Sequence, residues 1–184
     1  KLGADGTYEY DRVAVAIQRY RNFEQLALSF SPDGYYVADS GGKDSTVIKA
    51  LVEMAGVKFE IGHNHTTLDF PETVRFVRQE KARWEAKGIK YSIEKPGMSF
   101  WRLMRKKKAP PRQNARYCCK YLKEHGGEGR LKVTGVRWAE SVKRKLHNGV
   151  TEVFTNKKHD KLILLNDNEE SRKEFETCPL KGAR

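Results

Sequence analysis

The chain has 184 residues, with 36 Lys and Arg against 24 Asp and Glu and a formal net charge of +12. This length corresponds to one domain of ordinary size with a real core, and the positive charge favours anionic partners. No run approaches the ~18 apolar residues of a membrane span, and residues 1–12 lack the apolar core of a secretory signal, so we expect a cytoplasmic protein without membrane contact.

The first predicted element is a helix over Asp11–Ser29, which contains no proline or glycine and has a rough helical period. Turn residues follow, and Tyr35–Asp39 is a short apolar run typical of a buried strand. Three apolar residues then recur at helical spacing in a helix that ends at Gly56: Val47, Leu51 and Met54.

Strands and helices continue to alternate along the chain. The predicted strands are Val57–Ile61, Ile89–Ile93 and Leu131–Val136, and the predicted helices are Asp69–Gly88, Ser99–Lys108 and Ala115–His125. This alternation predicts an α/β fold, a parallel sheet flanked by crossover helices. A small β-hairpin over Val150–Leu165 is predicted near the C-terminus.

The sequence SGGKDS follows the first strand, where the carboxyl edge of a parallel sheet binds ligands. Gly41 and Gly42 let an anion approach the main chain, and the helix beginning near Asp44 adds its positive end. Asp44 has an alternative interpretation as the N-cap of that helix. Ser40 and Ser45 add hydroxyl donors, and Lys43 adds charge.

Four segments together resemble a known family. The loop is similar to the SGGxDS loop of the PP-loop adenine nucleotide alpha-hydrolase-like superfamily. The segments HTTLDFPETVRFV, ARYCCKYLK and VTGVRWAESVKR resemble segments of the phosphoadenosine phosphosulfate (PAPS) reductase family. His65 and Thr67 stand where the family pattern D-T-G-x-x-F-P-E-T has Asp and Gly, which bears on nucleotide or substrate preference.

The resemblance implies a Rossmann-like PP-loop domain in which a pyrophosphate or phosphosulfate group is held by Ser40, Gly41, Gly42, Lys43, Asp44 and Ser45. It also implies one of two reactions. One is reduction of PAPS or adenosine phosphosulfate to sulfite, with a thioredoxin-like thiol donor. The other is cleavage of ATP between its α- and β-phosphates with Mg²⁺, releasing pyrophosphate and adenylating a substrate. The family continues beyond a segment like CPLKGAR, so the resemblance also implies a single domain over residues 1–184 that lacks the family's C-terminal portion. No catalytic residue is assigned.

Arg137 and Arg144 lie seven residues apart after a predicted strand. Guanidinium groups form two-point contacts with phosphate oxygens, so both are predicted to bind the nucleotide, with Glu140 orienting one of them. The alternative is that they are exposed charges on a surface helix.

Cysteines are three in number, and two of them are adjacent, which argues against a secreted disulfide scaffold. In part of the family such a pair joins later cysteines on a [4Fe–4S] cluster, so the resemblance implies Cys118, Cys119 and Cys178 as candidate ligands. Half-buried helix cysteines are the alternative.

His63 and His65 flank Asn64 at a strand end and face the same side, as a pair of metal ligands would. No further ligand has suitable spacing nearby, which favours a pocket-lining role. The three tryptophans are predicted to be packing residues: Trp84, Trp101 and Trp138.

A second hypothesis concerns Phe100–Lys123, which holds nine basic residues and no acidic one. Such a run is either a solvated face or a surface for phosphates. The alternative function is therefore that of a nucleic-acid-binding or nucleic-acid-modifying component, and the two hypotheses can coexist.

Overall fold

The structure is a computed structural model that describes residues 11–112, 115–123 and 126–135, together with the backbone of two later strands at 151–154 and 173–177. No helix within these ranges combines the length and the apolar character needed to cross a membrane.

Two helices occupy the segment for which a single helix was predicted. Helix α1 spans Arg12–Asn22 and α2 spans Glu24–Phe30, and the break falls at Phe23, whose ψ of 6° leaves the helical range. The Asp11 side chain accepts hydrogen bonds from the N–H groups of Val13 and Ala14, which fixes the start of α1.

Strands and helices alternate from there, as the sequence predicts, with bounds that shift by a few residues. The elements are β1 (Tyr35–Ala38), α3 (Lys43–Ala55), β2 (Phe59–Asn64), α4 (Pro71–Ala86), β3 (Tyr91–Glu94), α5 (Phe100–Lys107), α6 (Tyr117–Leu122), β4 (Lys132–Val133), β5 (Thr151–Phe154) and β6 (Lys173–Thr177). Pro71 occupies the first turn of α4, and Gly56 caps α3 in the left-handed conformation, both as predicted.

The six strands form one sheet in the order β3-β2-β1-β4-β6-β5. All neighbours pair in parallel except β5 and β6, which are antiparallel. The antiparallel pair therefore reaches Thr177, beyond the predicted hairpin bounds of Val150–Leu165, because β5 takes its partner from further along the chain. The parallel sheet itself is confirmed.

The chain changes direction across the sheet at β1. From β1 it proceeds through β2 to β3 on one side, and β4 then adds to the other side of β1. The carboxyl ends of β1 and β4 thus flank a topological switch point, which is where open α/β sheets bind ligands. The SGGKDS loop follows β1 and lies at this point.

The core lies between the sheet and helices α1, α3 and α4. Val37 and Ile61 of the sheet are fully buried, and so are Ile48 and Val52 of α3. Val47 and Met54 are instead 46% and 57% exposed, so the predicted apolar stripe of α3 is displaced around the helix.

Candidate functional site

Gly41 is the first of the two glycines in the loop after β1. Its φ of +72° lies in the left-handed region, which side chains rarely adopt. A Cβ atom at Gly41 would also come within 3.2 Å of the Thr73 side chain and 3.3 Å of the Val77 side chain on α4. At Gly42 the backbone is extended, and an added Cβ would meet the Ser40 hydroxyl alone. Gly41 therefore packs the loop under α4, and Gly42 is exposed at its surface.

Helix α3 begins at Lys43 with Gly42 as its N-cap, and no side chain among the described residues caps it. Asp44 is therefore not the N-cap, which corrects that alternative; it lies half-buried in the first turn. Backbone N–H groups of a first helical turn lack intrahelical acceptors and carry the positive end of the helix dipole. The amino end of α3, with the exposed Lys43 beside it, thus has the electrostatics of an anion site.

Asp39 immediately precedes the loop and stabilises it through hydrogen bonds to its carboxylate. One carboxylate oxygen accepts hydrogen bonds from the Gly41 N–H and the Ser45 hydroxyl, both at 2.8 Å. The other accepts from Lys49 Nζ at 2.6 Å and from the Tyr91 hydroxyl at 2.7 Å. The Ser45 hydroxyl therefore points beneath the loop toward Asp39, and the Gly41 amide serves the internal structure of the loop.

Lys49 is fully buried between two carboxylates, at 2.6 Å from Asp39 and 2.8 Å from Glu80. Burial raises the pKa of Asp39, but the hydrogen bonds from Lys49 and Tyr91 outweigh it and hold that pKa below its usual value. Burial likewise raises the pKa of Glu80, and the hydrogen bonds from Lys49 and the Trp84 indole outweigh it. Both carboxyl groups are therefore ionised at neutral pH, and together with Lys49 they brace the loop.

Sequence reasoning missed this buried network, namely Asp39, Lys49, Glu80 and Tyr91. One signal was available: Ser45, Lys49 and Val52 recur at helical spacing on one face of α3, and a lysine on a buried face requires a buried carboxylate.

The predicted histidines lie at the carboxyl end of β2. His63 is buried, and its Nδ1 lies 2.8 Å from the carbonyl oxygen of Asp39. His65 Nδ1 lies 2.9 Å from a carboxylate oxygen of Asp69. The expectation that no further metal ligand lies nearby is wrong, because the loop after β2 folds Asp69 back against His65.

Thr67 stands where the family pattern has glycine, and its φ of +65° lies in the left-handed region that favours glycine. Its hydroxyl oxygen accepts a hydrogen bond from the Phe100 N–H at 2.9 Å, which attaches the start of α5 to this loop. At the end of β2, the Asn64 side chain donates a hydrogen bond to the carbonyl oxygen of Lys123, the residue after α6, at 2.6 Å. Helices α5 and α6 therefore border the site.

A basic–aromatic surface lies on α5 and α6; we define it as Trp101, Lys106, Lys107, Lys108 and Tyr121. Trp101 is 60% exposed, so the prediction that it is a packing residue is wrong, whereas Trp84 is buried against Phe59 as predicted. Lys107 Nζ lies 5.3 Å from the centre of the Tyr121 ring. The buried residue of α5 is Leu103 rather than Trp101.

Cys118 and Cys119 are consecutive, half-buried residues of α6, with no disulfide among the described residues. A [4Fe–4S] cluster takes four thiolates, and the described part of the chain offers these two. Cys178, Arg137, Glu140, Arg144 and Trp138 lie outside the described residues, so their predicted roles stay predictions.

The phosphoadenosine phosphosulfate reductase domain family matches residues 34–181 of the chain. No curated protein matches this chain. Among solved structures, the phosphoadenylyl-sulfate (PAPS) reductase from Candida auris, a phosphate complex, is similar with 17% identity and a TM-score of 0.52, over 95% of this chain and 82% of that one.

Two synthetases are also similar. The NH3-dependent NAD synthetase from Campylobacter jejuni has 15% identity and a TM-score of 0.46, over 71% of this chain and 59% of its own. The NMN synthetase from Francisella tularensis has 14% identity and a TM-score of 0.49, over 72% and 57%. This chain thus spans less than two thirds of either synthetase. The likeness to the reductase shows the fold alone, a PP-loop α/β fold.

Proposed function

Because the chain belongs to the phosphoadenosine phosphosulfate reductase domain family, we propose that it is an enzyme that binds the phosphate-bearing end of an adenine nucleotide on the Ser40–Ser45 loop. The observation that carries the proposal is the amino end of α3, which has no side-chain cap among the described residues and lies at the switch point of the sheet. Arg137 and Arg144 complete the proposed phosphate contacts.

The loop would act through charge stabilisation. Backbone N–H groups at the start of α3 and the Lys43 ammonium group stabilise negative charge on phosphate or sulfonate oxygens. The Asp39–Lys49–Glu80 network holds the loop backbone before the ligand arrives, so little reorganisation of the backbone accompanies binding.

Two reactions fit this site. In the first, PAPS or adenosine phosphosulfate is reduced to sulfite with electrons from a thioredoxin-like thiol donor. In the second, ATP is cleaved between its α- and β-phosphates and an acceptor is adenylated. The half-buried Asp44 in the first turn of α3 favours the second, because a carboxylate beside a polyphosphate requires a cation between them. Mg²⁺ suits that position, since it binds one or two carboxylates together with substrate phosphates, and Asp44 would hold it.

The test is a titration of ATP, PAPS and adenosine phosphosulfate against wild type and against Lys43→Ala and Gly42→Val. Loss of a charged hydrogen bond costs about 1.5–3 kcal/mol, so we expect Lys43→Ala to bind about tenfold or more weakly. Lys58→Ala is the matched control, because Lys58 is exposed just before β2, at the opposite edge of the sheet. Equal nucleotide binding by all four proteins would refute the loop site.

The released product separates the two reactions. Sulfite release with a dithiol donor identifies the reductase, and pyrophosphate release with ATP and Mg²⁺ identifies the adenylating enzyme. An Asp44→Asn variant should lose Mg²⁺-dependent ATP binding and retain binding of PAPS in the absence of metal, if the cation lies between Asp44 and the polyphosphate.

The basic–aromatic surface favours a second candidate function, contact with a nucleic acid. Exposed lysines neutralise phosphates, and exposed aromatic rings stack on unpaired bases. The contacts of Thr67 and Asn64 attach α5 and α6 to the chain at the carboxyl end of β2, the strand next to β1, so a nucleic acid bound there would lie at the same edge of the sheet as the nucleotide loop.

Affinity for a single-stranded oligonucleotide measured against salt concentration tests this second function. We expect the slope of log affinity against log salt to flatten by about 1.4 in Lys106→Ala/Lys107→Ala, since each contact to a single strand contributes about 0.7. Lys58→Ala/Lys87→Ala removes the same charge elsewhere and should leave the slope unchanged. An unchanged slope in the first double variant would exclude this surface.

A further inference from the structure

One side-chain cluster at the edge of the sheet plays no part in the proposed nucleotide loop. It consists of His63, His65 and Asp69, and one ligand atom of each lies within 4.8 Å of those of the other two. We propose that this cluster binds a divalent transition-metal ion of the zinc type. The inference is independent of the proposed function, because it concerns the metal-free protein and needs no nucleotide.

His63 has the orientation of a ligating histidine. The residue is 3% exposed, and its Nδ1 lies 2.8 Å from the carbonyl oxygen of Asp39. A carbonyl oxygen only accepts hydrogen bonds, so Nδ1 carries a proton, and Nε2 is the ring nitrogen that would bind an ion. Hydrogen bonding of the second ring nitrogen to a carbonyl or a carboxylate is typical of histidines that hold a metal ion.

His65 and Asp69 face each other directly. Nδ1 of His65 lies 2.9 Å from Asp69 Oδ2, so these two atoms are placed to bind one ion that replaces the hydrogen between them. The Thr66 N–H and the Thr66 hydroxyl donate hydrogen bonds to the Asp69 carboxylate at 2.7 Å and 2.8 Å. A carboxylate has about four lone-pair positions, so about two remain for the ion after these two contacts.

The donor set determines the class of ion. Two imidazole nitrogens and one carboxylate oxygen suit Zn²⁺, whereas Mg²⁺ and Ca²⁺ take oxygen ligands. Three protein ligands leave a fourth tetrahedral position for water or another exchangeable ligand. Ligands about 2.0–2.1 Å from a tetrahedral ion are about 3.4 Å apart, a separation that lies within the 4.8 Å limit for the three ligand atoms. Asp39, which holds the His63 ring, is followed directly by Ser40, so the ion would lie beside the nucleotide loop.

Calorimetric titration of the full chain with Zn²⁺, and absorption spectra with Co²⁺, test the proposal in the absence of nucleotide. We expect one ion per chain and a Co²⁺ spectrum without thiolate charge-transfer bands. His65→Ala and Asp69→Asn should each weaken Zn²⁺ binding tenfold or more. Asp33→Asn is the control, because Asp33 is an exposed acid at the opposite edge of the sheet.

The cysteines provide the competing explanation, so Cys118→Ser/Cys119→Ser is titrated in parallel. Binding that survives in this double variant and weakens in His65→Ala supports the proposal. Binding that is lost in the double variant and kept in His65→Ala overturns it, and so does the absence of binding in wild type. Circular dichroism confirms that each variant is folded; both His65 and Asp69 are partly exposed, so neither substitution opens the core.

Discussion

The two loop glycines differ in backbone geometry: φ is +72° at Gly41 and −95° at Gly42. We expect Gly41→Ala to lower the free energy of unfolding by about 1–2 kcal/mol, the cost of a left-handed conformation for a residue with a Cβ atom. Gly42→Ala should change it by less than about 0.5 kcal/mol, as exposed substitutions do. Urea denaturation of both variants measures the difference, and equal losses would contradict the loop geometry.

A second prediction at the scale of single residues concerns Lys49. Lys49→Met leaves Asp39 and Glu80 buried without their cation, and we expect it to lower the free energy of unfolding by about 3–5 kcal/mol at neutral pH. Denaturant titrations at several pH values measure this loss. Lys87→Met is the control, because Lys87 forms an exposed pair with Glu53 that is worth about 0–1 kcal/mol.

The loss caused by Lys49→Met should depend on pH. Because the pKa of Glu80 is lowered in the folded protein, the stabilisation that it contributes is present above its ordinary value of 4.5 and is lost as pH falls through the lowered pKa. Without Lys49, burial raises the pKa values of both carboxyls, so they take up protons at higher pH. The difference between wild type and Lys49→Met should therefore shrink as pH falls from neutral toward 4.5, and a difference independent of pH would contradict the buried charges.

The sequence predicts the loop residues themselves, since a strand, two glycines and a helix start occur together within one short stretch. It does not predict their support. Lys49 lies ten residues from Asp39, and Glu80 and Tyr91 come from other elements, so their meeting is a product of the tertiary fold. Asp69 escaped prediction for a local reason, because the conformation of the turn after β2, which brings it back to His65, does not follow from the spacing of the two residues.

At the scale of elements, helix α3 shows that the period of the apolar residues predicts a helix but not which face of it is buried. Its existence and its end at Gly56 are confirmed, but the face that was predicted to be buried includes the exposed Val47 and Met54. The apolar stripe that is buried is Ile48, Leu51, Val52 and Ala55. Several nearby apolar residues fit a helical period, and packing against α1 and the sheet selects the face that is buried.

Substitutions on the two faces of α3 test this assignment. Ile48→Ala removes a fully buried side chain of the observed stripe alone and should cost about 2–5 kcal/mol of unfolding free energy. Met54→Ala removes an exposed one and should change it by less than about 0.5 kcal/mol. Thermal unfolding of the two variants provides the comparison. A larger loss in Met54→Ala would show that the predicted stripe was right.

At the scale of the whole molecule, the parallel α/β class and the family were predictable because both follow from local patterns: alternating elements and short motifs. The strand order was not, since the placement of β4 beside β1 depends on pairing between residues about 96 positions apart, such as Tyr36 and Lys132. The antiparallel β5–β6 pair likewise depends on a partner further along the chain than the predicted hairpin allowed.

The placement of the loop in the sheet implies that nucleotide binding stabilises the whole fold. A ligand that binds the folded state alone raises the free energy of unfolding by about 2.7 kcal/mol at one hundred times its dissociation constant. We expect this shift for wild type with the nucleotide that it binds, measured by urea denaturation. Lys43→Ala should keep the unfolding free energy of wild type without ligand, because Lys43 is exposed, and should show a much smaller shift at the same nucleotide concentration. Lys58→Ala should behave as wild type in both respects. A full shift in Lys43→Ala would show that the nucleotide binds away from the amino end of α3.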